Sequence, residues 1–459
     1  MPRASSSRAR PWARVVAALA VLAIVAASGP GEATTYIRDT EIETTIRDFS
    51  APVLRAAGLS PDDVHIYLIK DDSLNAFVAG GLNIFLHTGL IKRAEDPGQL
   101  IGVIAHEAGH IAGGHLSRIQ DELSRASIQA IIATVLGAAA GVATGRGDVA
   151  VAASALGQHA AERNILSYSR AQESAADQAA IRYLEATGQS ARGLMDFLKI
   201  LEDQELLSPA LQDPYLRTHP ITRERVDTVR RHVENSRYSE AKYPAEWHES
   251  HARMVAKLDG FLDSPGRTLR NYPESDQSIP ARYARAIAHH KRADLPVALE
   301  LIDGLIEDHP DDPFCHELKG QILFERGEAA RALPAYVRAN ELLPGEPLLQ
   351  IALAQVAIEQ NDREWTERAT NLLERAVQRE DQNARAWRLL GVAHGRLGNM
   401  GRASLALAEE ALLRDEPEDA MRQANRAQRE MTEGSSGWLR AEDVHHAAER
   451  AIEERRRRR

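Results

Sequence analysis

Apolar and polar positions along the chain read as helix over most of its length, with strand patterns confined to the front. Glu41 to Ala57 reads as helix, and VHIYLI, Val64 to Ile69, as a compact strand rich in β-branched and aromatic residues. Ser73 to Ile91 reads as a hairpin, in which Gly80 and Gly81 mark a tight turn and Asn83 to Leu86 the following strand. The run IGVIAHEAGHIAGGHL, Ile101 to Leu116, reads as a helix buried through Ile101, Val103, Ile104, Ile111 and Leu116, with no proline to interrupt it. An alanine-rich stretch from Ser169 to Glu185 reads as a further helix, and helical pattern continues to Glu205.

Behind this front, small residues recur at a fixed interval. Ala286, Gly320, Ala354 and Gly391 stand 34, 34 and 37 residues apart, each in a helical run. Twelve residues on come Ala298, Ala332, Thr366 and Ala403, and Pro310 and Pro344 close the first two units. Small residues where paired helices touch, with proline at the turns, form the tetratricopeptide pattern. The expected fold is therefore mostly α: an α+β front domain over 34–235, a connecting helix and linker over 236–275, and a repeat solenoid over 276–454 with a protein-binding face.

Composition adds location and partners. Arg3, Arg8, Arg10 and Arg14 precede the uncharged run VVAALAVLAIVAA, Val15 to Ala27, with small residues at Gly31 and Ala33. Residues 1–33 read as an export signal, removed near Ala33 or retained as an anchor. Cys315 is the single cysteine, so no intramolecular disulfide forms. Removing residues 1–33, which carry four arginines and Glu32, takes the net charge from −10 to −13, which speaks against nucleic acid as a partner. The arginine tail 455–459 reads as a solvated, disordered end, with anionic lipid contact as the alternative. The apolar stretch 126–161 is long enough to span a membrane, but Ser127, Gln129, Thr134, Gly137, Gly141 and Thr144 dilute it. Core packing, or a mobile hairpin that covers a cleft or touches a membrane surface, are its other readings.

The chemistry lies in His106, Glu107 and His110. Two histidines four apart leave one face of a helix one turn apart and can grip a single metal ion, while Glu107 can take a proton from a metal-bound water. A catalytic zinc needs a third protein ligand. His115, five residues past His110, is rotated by about 140° away from that face. The metzincin pattern would require histidine where Leu116 stands. Glu173 is the better candidate, and Asp177, one turn on, is placed to accept an imidazole N–H and fix its tautomer.

HEAGH followed by SRAQESAAD resembles the zinc metalloprotease family that includes the CAAX prenyl protease and the membrane heat-shock protease HtpX. The resemblance implies one zinc ion per chain held by His106, His110 and Glu173, with Glu107 as base and Asp177 behind the ligands. Asn75, Ala76 and Phe77 match the family's NAFxxxGG segment, an edge strand bordering the cleft that would bind an extended peptide by strand addition; an ordinary core hairpin is the alternative. His219 matches the histidine of THPxxxxR, which implies a regulatory fourth zinc ligand; a helix-capping histidine is the alternative. Protease, repeats and export signal together resemble the periplasmic beta-barrel assembly-enhancing protease family. That implies degradation of misassembled outer-membrane proteins and a repeat domain that binds the barrel assembly machinery or clients; the competing reading is an assembly chaperone or adaptor whose protease is largely latent.

Overall fold

A computed structural model describes residues 35–115, 118, 170–205, 213, 215, 216 and 219–458. The expected export signal at 1–33 and the apolar stretch 126–161 lie outside these residues.

The front domain opens with β1 (Tyr36–Ile37) and α1 (Thr40–Ala56), whose first turn is capped by Asp39 accepting from the Ile42 amide. Strands β2 (His65–Ile69), β3 (Ala76–Ala79) and β4 (Asn83–His87) follow, giving a four-stranded sheet in the order β1-β2-β4-β3. β3 and β4 form the expected hairpin, Phe77 opposite Phe85, through a turn in which Gly80 and Gly81 adopt φ of +59° and +98°. β2 runs parallel to β4, so β3 is left at one edge of the sheet.

Short α2 (Thr88–Arg93) leads to α3 (Pro97–Ala112), which starts at the Asp96 cap with Pro97 in its first turn. Helix α4 covers 170–186, followed by α5 (Arg192–Glu205), α6 (Arg223–Asn235), α7 (Ala245–Leu262) and α8 (Pro265–Asn271). α3 is buried almost throughout because its neighbours come very close. A side chain at Gly102 would meet the Leu194 backbone at 2.8 Å, and one at Gly109 the Ala176 carbonyl at 2.9 Å, so two glycines one heptad apart let α5 and α4 dock closely against α3.

Five helix pairs follow: α9 (Ile279–Lys291) with α10 (Leu295–Asp308), α11 (Pro313–Glu325) with α12 (Ala329–Leu342), α13 (Pro347–Glu359) with α14 (Arg363–Arg379), α15 (Ala384–Arg396) with α16 (Met400–Leu413), and α17 (Pro417–Glu430) with α18 (Ser436–Arg458). The periodic small residues sit where partners cross: a side chain at Gly320 would meet the Tyr336 ring at 2.7 Å, and Ala286, Ala298, Ala332 and Ala354 are fully buried. The fold is mostly α, as the repeat spacing and alanine content require.

Two boundaries differ from expectation. α7, within the stretch read as a connecting helix and linker, buries Met254 and Leu258 in the same core as Ile46, Leu86 and Ile104. Its charged residues Arg253 and Lys257 are buried too, paired with Glu41 of α1, whose other oxygen also accepts from Tyr283 of α9 at 3.0 Å. Thr40–Glu317 (2.6 Å), Arg38–Glu380 (2.6 Å) and Arg47–Glu346 (3.4 Å) continue this contact, so the front of the first domain lies against three successive repeats. The arginine tail, expected to be disordered, instead extends α18 through Arg458, with Arg455 2.8 Å from Asp415.

Candidate metal centre

Four buried side chains, His106, His110, Glu173 and His219, bring one ligand atom each to within 4.8 Å of one another. Helix periodicity supplies the first two: His106 Nε2 and His110 Nε2 are 3.1 Å apart. α4, held close by Gly109, adds Glu173, with Oε2 3.4 Å from His106 Nε2 and Oε1 3.3 Å from His110 Nε2. A tetrahedron of donors about 2.0–2.1 Å from a central ion has edges of about 3.3 Å. The separations of 3.1 to 3.4 Å fit such a cage. Glu107 is fully buried on the same turn and neither of its carboxylate oxygens has a hydrogen-bond partner among the described residues.

Groups behind this set hold it in place. Asp177 Oδ1 lies 2.9 Å from His106 Nδ1, which leaves Nε2 free to face the centre. Arg225 of α6, only 2 % exposed, grips both oxygens of Asp177 at 2.6 and 2.9 Å, reaches Glu173 at 3.0 Å and donates to the Pro220 carbonyl at 2.8 Å. His115 lies outside the donor set, as its rotation requires. Its Nδ1 is instead 3.0 Å from His110 Nδ1 and fixes that ring from behind.

These contacts set the charges. Burial opposes ionisation throughout, yet Asp177 and Glu173 push the metal-free His106 up to about 10. Burial and the neighbouring His110 push His115 down to about 4, so it serves as a neutral acceptor. The Glu173 carboxyl is held well below its usual range because His219, His106 and His110 outweigh its desolvation.

His219 precedes α6 and turns inward. Its Nδ1 is 3.2 Å from Glu173 Oε2 and its Nε2 3.7 Å from Glu107 Oε1. Tyr215 stacks on it at 4.3 Å between ring centroids. The cap of α6 is Thr222, which accepts from the Arg225 amide at 3.3 Å, so capping is not the task of His219.

The three residues expected to meet substrate lie along the sheet edge. Asn75 and Ala76 are buried, and Phe77 is partly exposed with its ring 4.9 Å from Phe85. Asn75 reaches His87 at 3.4 Å through its amide nitrogen, and the adjacent Leu74 amide donates to Asp213 at 3.0 Å. β3 packs over α3, which carries the histidines.

A sheet with β3 at its edge among the described residues, beside a buried helix bearing HEAGH and a glutamate brought in by α4, defines a zincin-like metallopeptidase. Residues 37–233 match the profile of peptidase family M48. The chain is also similar to beta-barrel assembly-enhancing proteases. It is 24% identical over 355 residues to that of Escherichia coli K12, covering 75% of this chain and 70% of the relative. It is 24% identical over 373 residues to that of Yersinia pestis, covering 76% and 71%. A Vibrio cholerae protein provisionally given the same name is 27% identical over 342 residues, covering 72% and 68%. The front domain is a metalloprotease domain, followed by helical repeats.

The structure gathers His106, His110, Glu173 and His219, which sequence reasoning had named, and adds Arg225, His115 and Tyr215, which it had not, around them. Arg225 was in view only as the last letter of THPxxxxR. A buried arginine with two acidic partners 48 and 52 residues away leaves no local signal.

Proposed function

We propose that the chain is a zinc-dependent endopeptidase of the bacterial cell envelope, with one zinc held by His106, His110 and Glu173, that degrades misassembled outer-membrane proteins. The observation that carries the metal assignment is the near-tetrahedral spacing of these donors around a point that Glu107 borders. Zinc, when bound, supplies a Lewis acid that brings the pKa of water towards about 7 and polarises a carbonyl.

The chain's own residues do the rest. Glu107, buried and without a competing hydrogen bond among the described residues, takes the proton of the attacking water and returns it to the amine nitrogen of the leaving peptide. Asp177 and Arg225 keep His106 in the tautomer that presents Nε2 to the ion. Asn75, Ala76 and Phe77 line the β3 edge, where an extended polypeptide joins the sheet and is held over α3. His219 occupies the fourth corner in the resting chain and excludes water from it, which makes the enzyme latent. This latency favours a regulated protease over a constantly active one and accommodates a chaperone-like role between activations.

The names of the relatives support a task in barrel assembly. The arginine-flanked apolar run at 1–33 supports export to the periplasm, and the repeats support binding to the assembly machinery or its clients. No helix among the described residues is long and apolar enough to cross a membrane. The test is to incubate the zinc-loaded chain, as wild type, His219→Ala and Glu107→Gln, with an unfolded outer-membrane barrel protein and with casein. His219→Ala is expected to digest the barrel protein, with wild type slower and Glu107→Gln inert; digestion by Glu107→Gln at the His219→Ala rate would overturn the reading.

A further inference from the structure

One face of the sheet carries aromatic side chains on all four strands. Tyr67, Phe85 and Phe77 stand directly opposite one another across β2, β4 and β3, with ring centroids 5.1 and 4.9 Å apart and nearly parallel planes. Tyr36 of β1 continues the row, 6.0 Å from Tyr67, and is 53% exposed. Tyr67, Phe85 and Phe77 are all partly exposed. The opposite face, with Leu68, Ile84, Leu86 and Ala76, is buried in the core that includes α3. The row thus lies on the side of the sheet away from the metal centre, and it ends at Phe77 on the edge strand.

A polypeptide joining β3 presents alternate side chains to the two faces. One set points towards α3 and the metal. In the other set, one residue falls opposite Phe77, at the 4.5–5.5 Å typical of cross-strand pairs, and becomes the next step of the row. Aromatic stacking favours an aromatic side chain there, and transmembrane barrel strands carry apolar residues at alternate positions with aromatic girdles near each end. We infer that Phe77, backed by Phe85 and Tyr67, is a specificity-determining residue that selects extended substrate segments with an aromatic side chain on the strand face turned away from the metal. This rests on the reading of β3 as the substrate-binding strand, and it names the substrate class of that site: unfolded segments alternating aromatic or apolar with polar residues.

The experiment uses the zinc-loaded full chain, as wild type and as His219→Ala. Two ten-residue alternating peptide series carry phenylalanine in place of alanine on one parity of positions or the other, relative to the mapped scissile bond. The expected result is that phenylalanine at one position of a single parity raises kcat/KM roughly two- to fivefold over alanine. That ratio falls towards one in Phe77→Ala and is kept in Phe77→Tyr. Phe77→Leu, which keeps apolar bulk without the stack, should give an intermediate ratio and guards against a Phe77→Ala chain that folds poorly. A ratio of one in wild type, or a ratio unchanged in both Phe77→Ala and Phe77→Leu, overturns the inference. A third peptide series, N-methylated at single backbone amides, tests the underlying reading separately. Strand addition requires losses at every second amide. If N-methylation is without effect, the strand reading fails as well; if it follows the alternation while the phenylalanine ratio is flat, only the aromatic selection fails.

Discussion

Replacing Arg225 by methionine removes one cation from between two buried carboxylates. Arg225 makes two bonds to Asp177 at 2.6 and 2.9 Å, a third contact to Glu173 at 3.0 Å and a fourth to the Pro220 carbonyl at 2.8 Å, in a pocket where it is 2 % exposed. Removing one partner of such a buried pair while the other stays charged costs about 3–5 kcal/mol. In a domain of about 200 residues, where 1 kcal/mol moves Tm by roughly 2–4 °C, the zinc-free variant should melt roughly 6–20 °C below wild type. Asp177 also orients His106 at 2.9 Å, and loss of such an outer contact weakens metal binding by about 10- to 100-fold. The assay pairs thermal melts of the zinc-free chain with zinc titration against a competing chelator. The double variant Arg225→Met, Asp177→Asn should recover part of the stability, because the Asp177 charge is no longer left inside without its partner. A single variant that melts within a degree of wild type and holds zinc as tightly would refute the idea that Arg225 ties the carboxylates to the metal site.

Other outcomes can be stated from the same geometry. His219→Ala should keep full zinc occupancy and raise casein digestion and self-cleavage, with self-cleavage abolished again by adding Glu107→Gln; unchanged digestion at full occupancy would leave His219 a structural residue. In the zinc-free chain His106 titrates at about 10, so between pH 7 and 9 each bound ion must displace its proton. Apparent zinc affinity should therefore rise about tenfold per pH unit over that range and flatten above about 10, and an affinity independent of pH in a chelator titration would contradict this. Deleting residues 276–459 removes the Tyr283, Glu317, Glu346 and Glu380 contacts to α1 and its flanks, so the shortened chain should bind zinc but melt lower than the full chain; an unchanged melting temperature would show the two parts to be independent.

What could be read from the chain was what a local pattern encodes. The i, i+4 spacing of His106 and His110, the one-turn spacing of Glu173 and Asp177 and the glycine turn at 80–81 are helix and hairpin signals that hold before any tertiary contact forms. The 34-residue recurrence of small residues is local in the same sense, since each marks a crossing between neighbours in sequence. α7 was read as part of a connecting helix and linker because the charge of 236–275 is mixed, and Arg253 and Lys257 are part of that mixture. They are tolerated inside because Glu41, more than two hundred residues earlier, neutralises them, and no window along the sequence contains both. His115 was set aside as a ligand from its rotation, and its contact with His110 arises past the helix end, where Gly114 turns the chain at φ +60°. The partners of Arg225 likewise exist only once α4 and α6 have packed.

The central claim is that three protein donors hold one catalytic zinc and that Glu107 works beside it. The most direct measurement is the zinc content and casein cleavage of the same purified samples of His219→Ala alone, and combined with Glu173→Ala or with Glu107→Gln. The expected result is one zinc per chain with cleavage in His219→Ala, one zinc without cleavage when Glu107→Gln is added, and loss of both when Glu173→Ala is added. Full zinc occupancy after Glu173→Ala, or cleavage that survives Glu107→Gln, would contradict it.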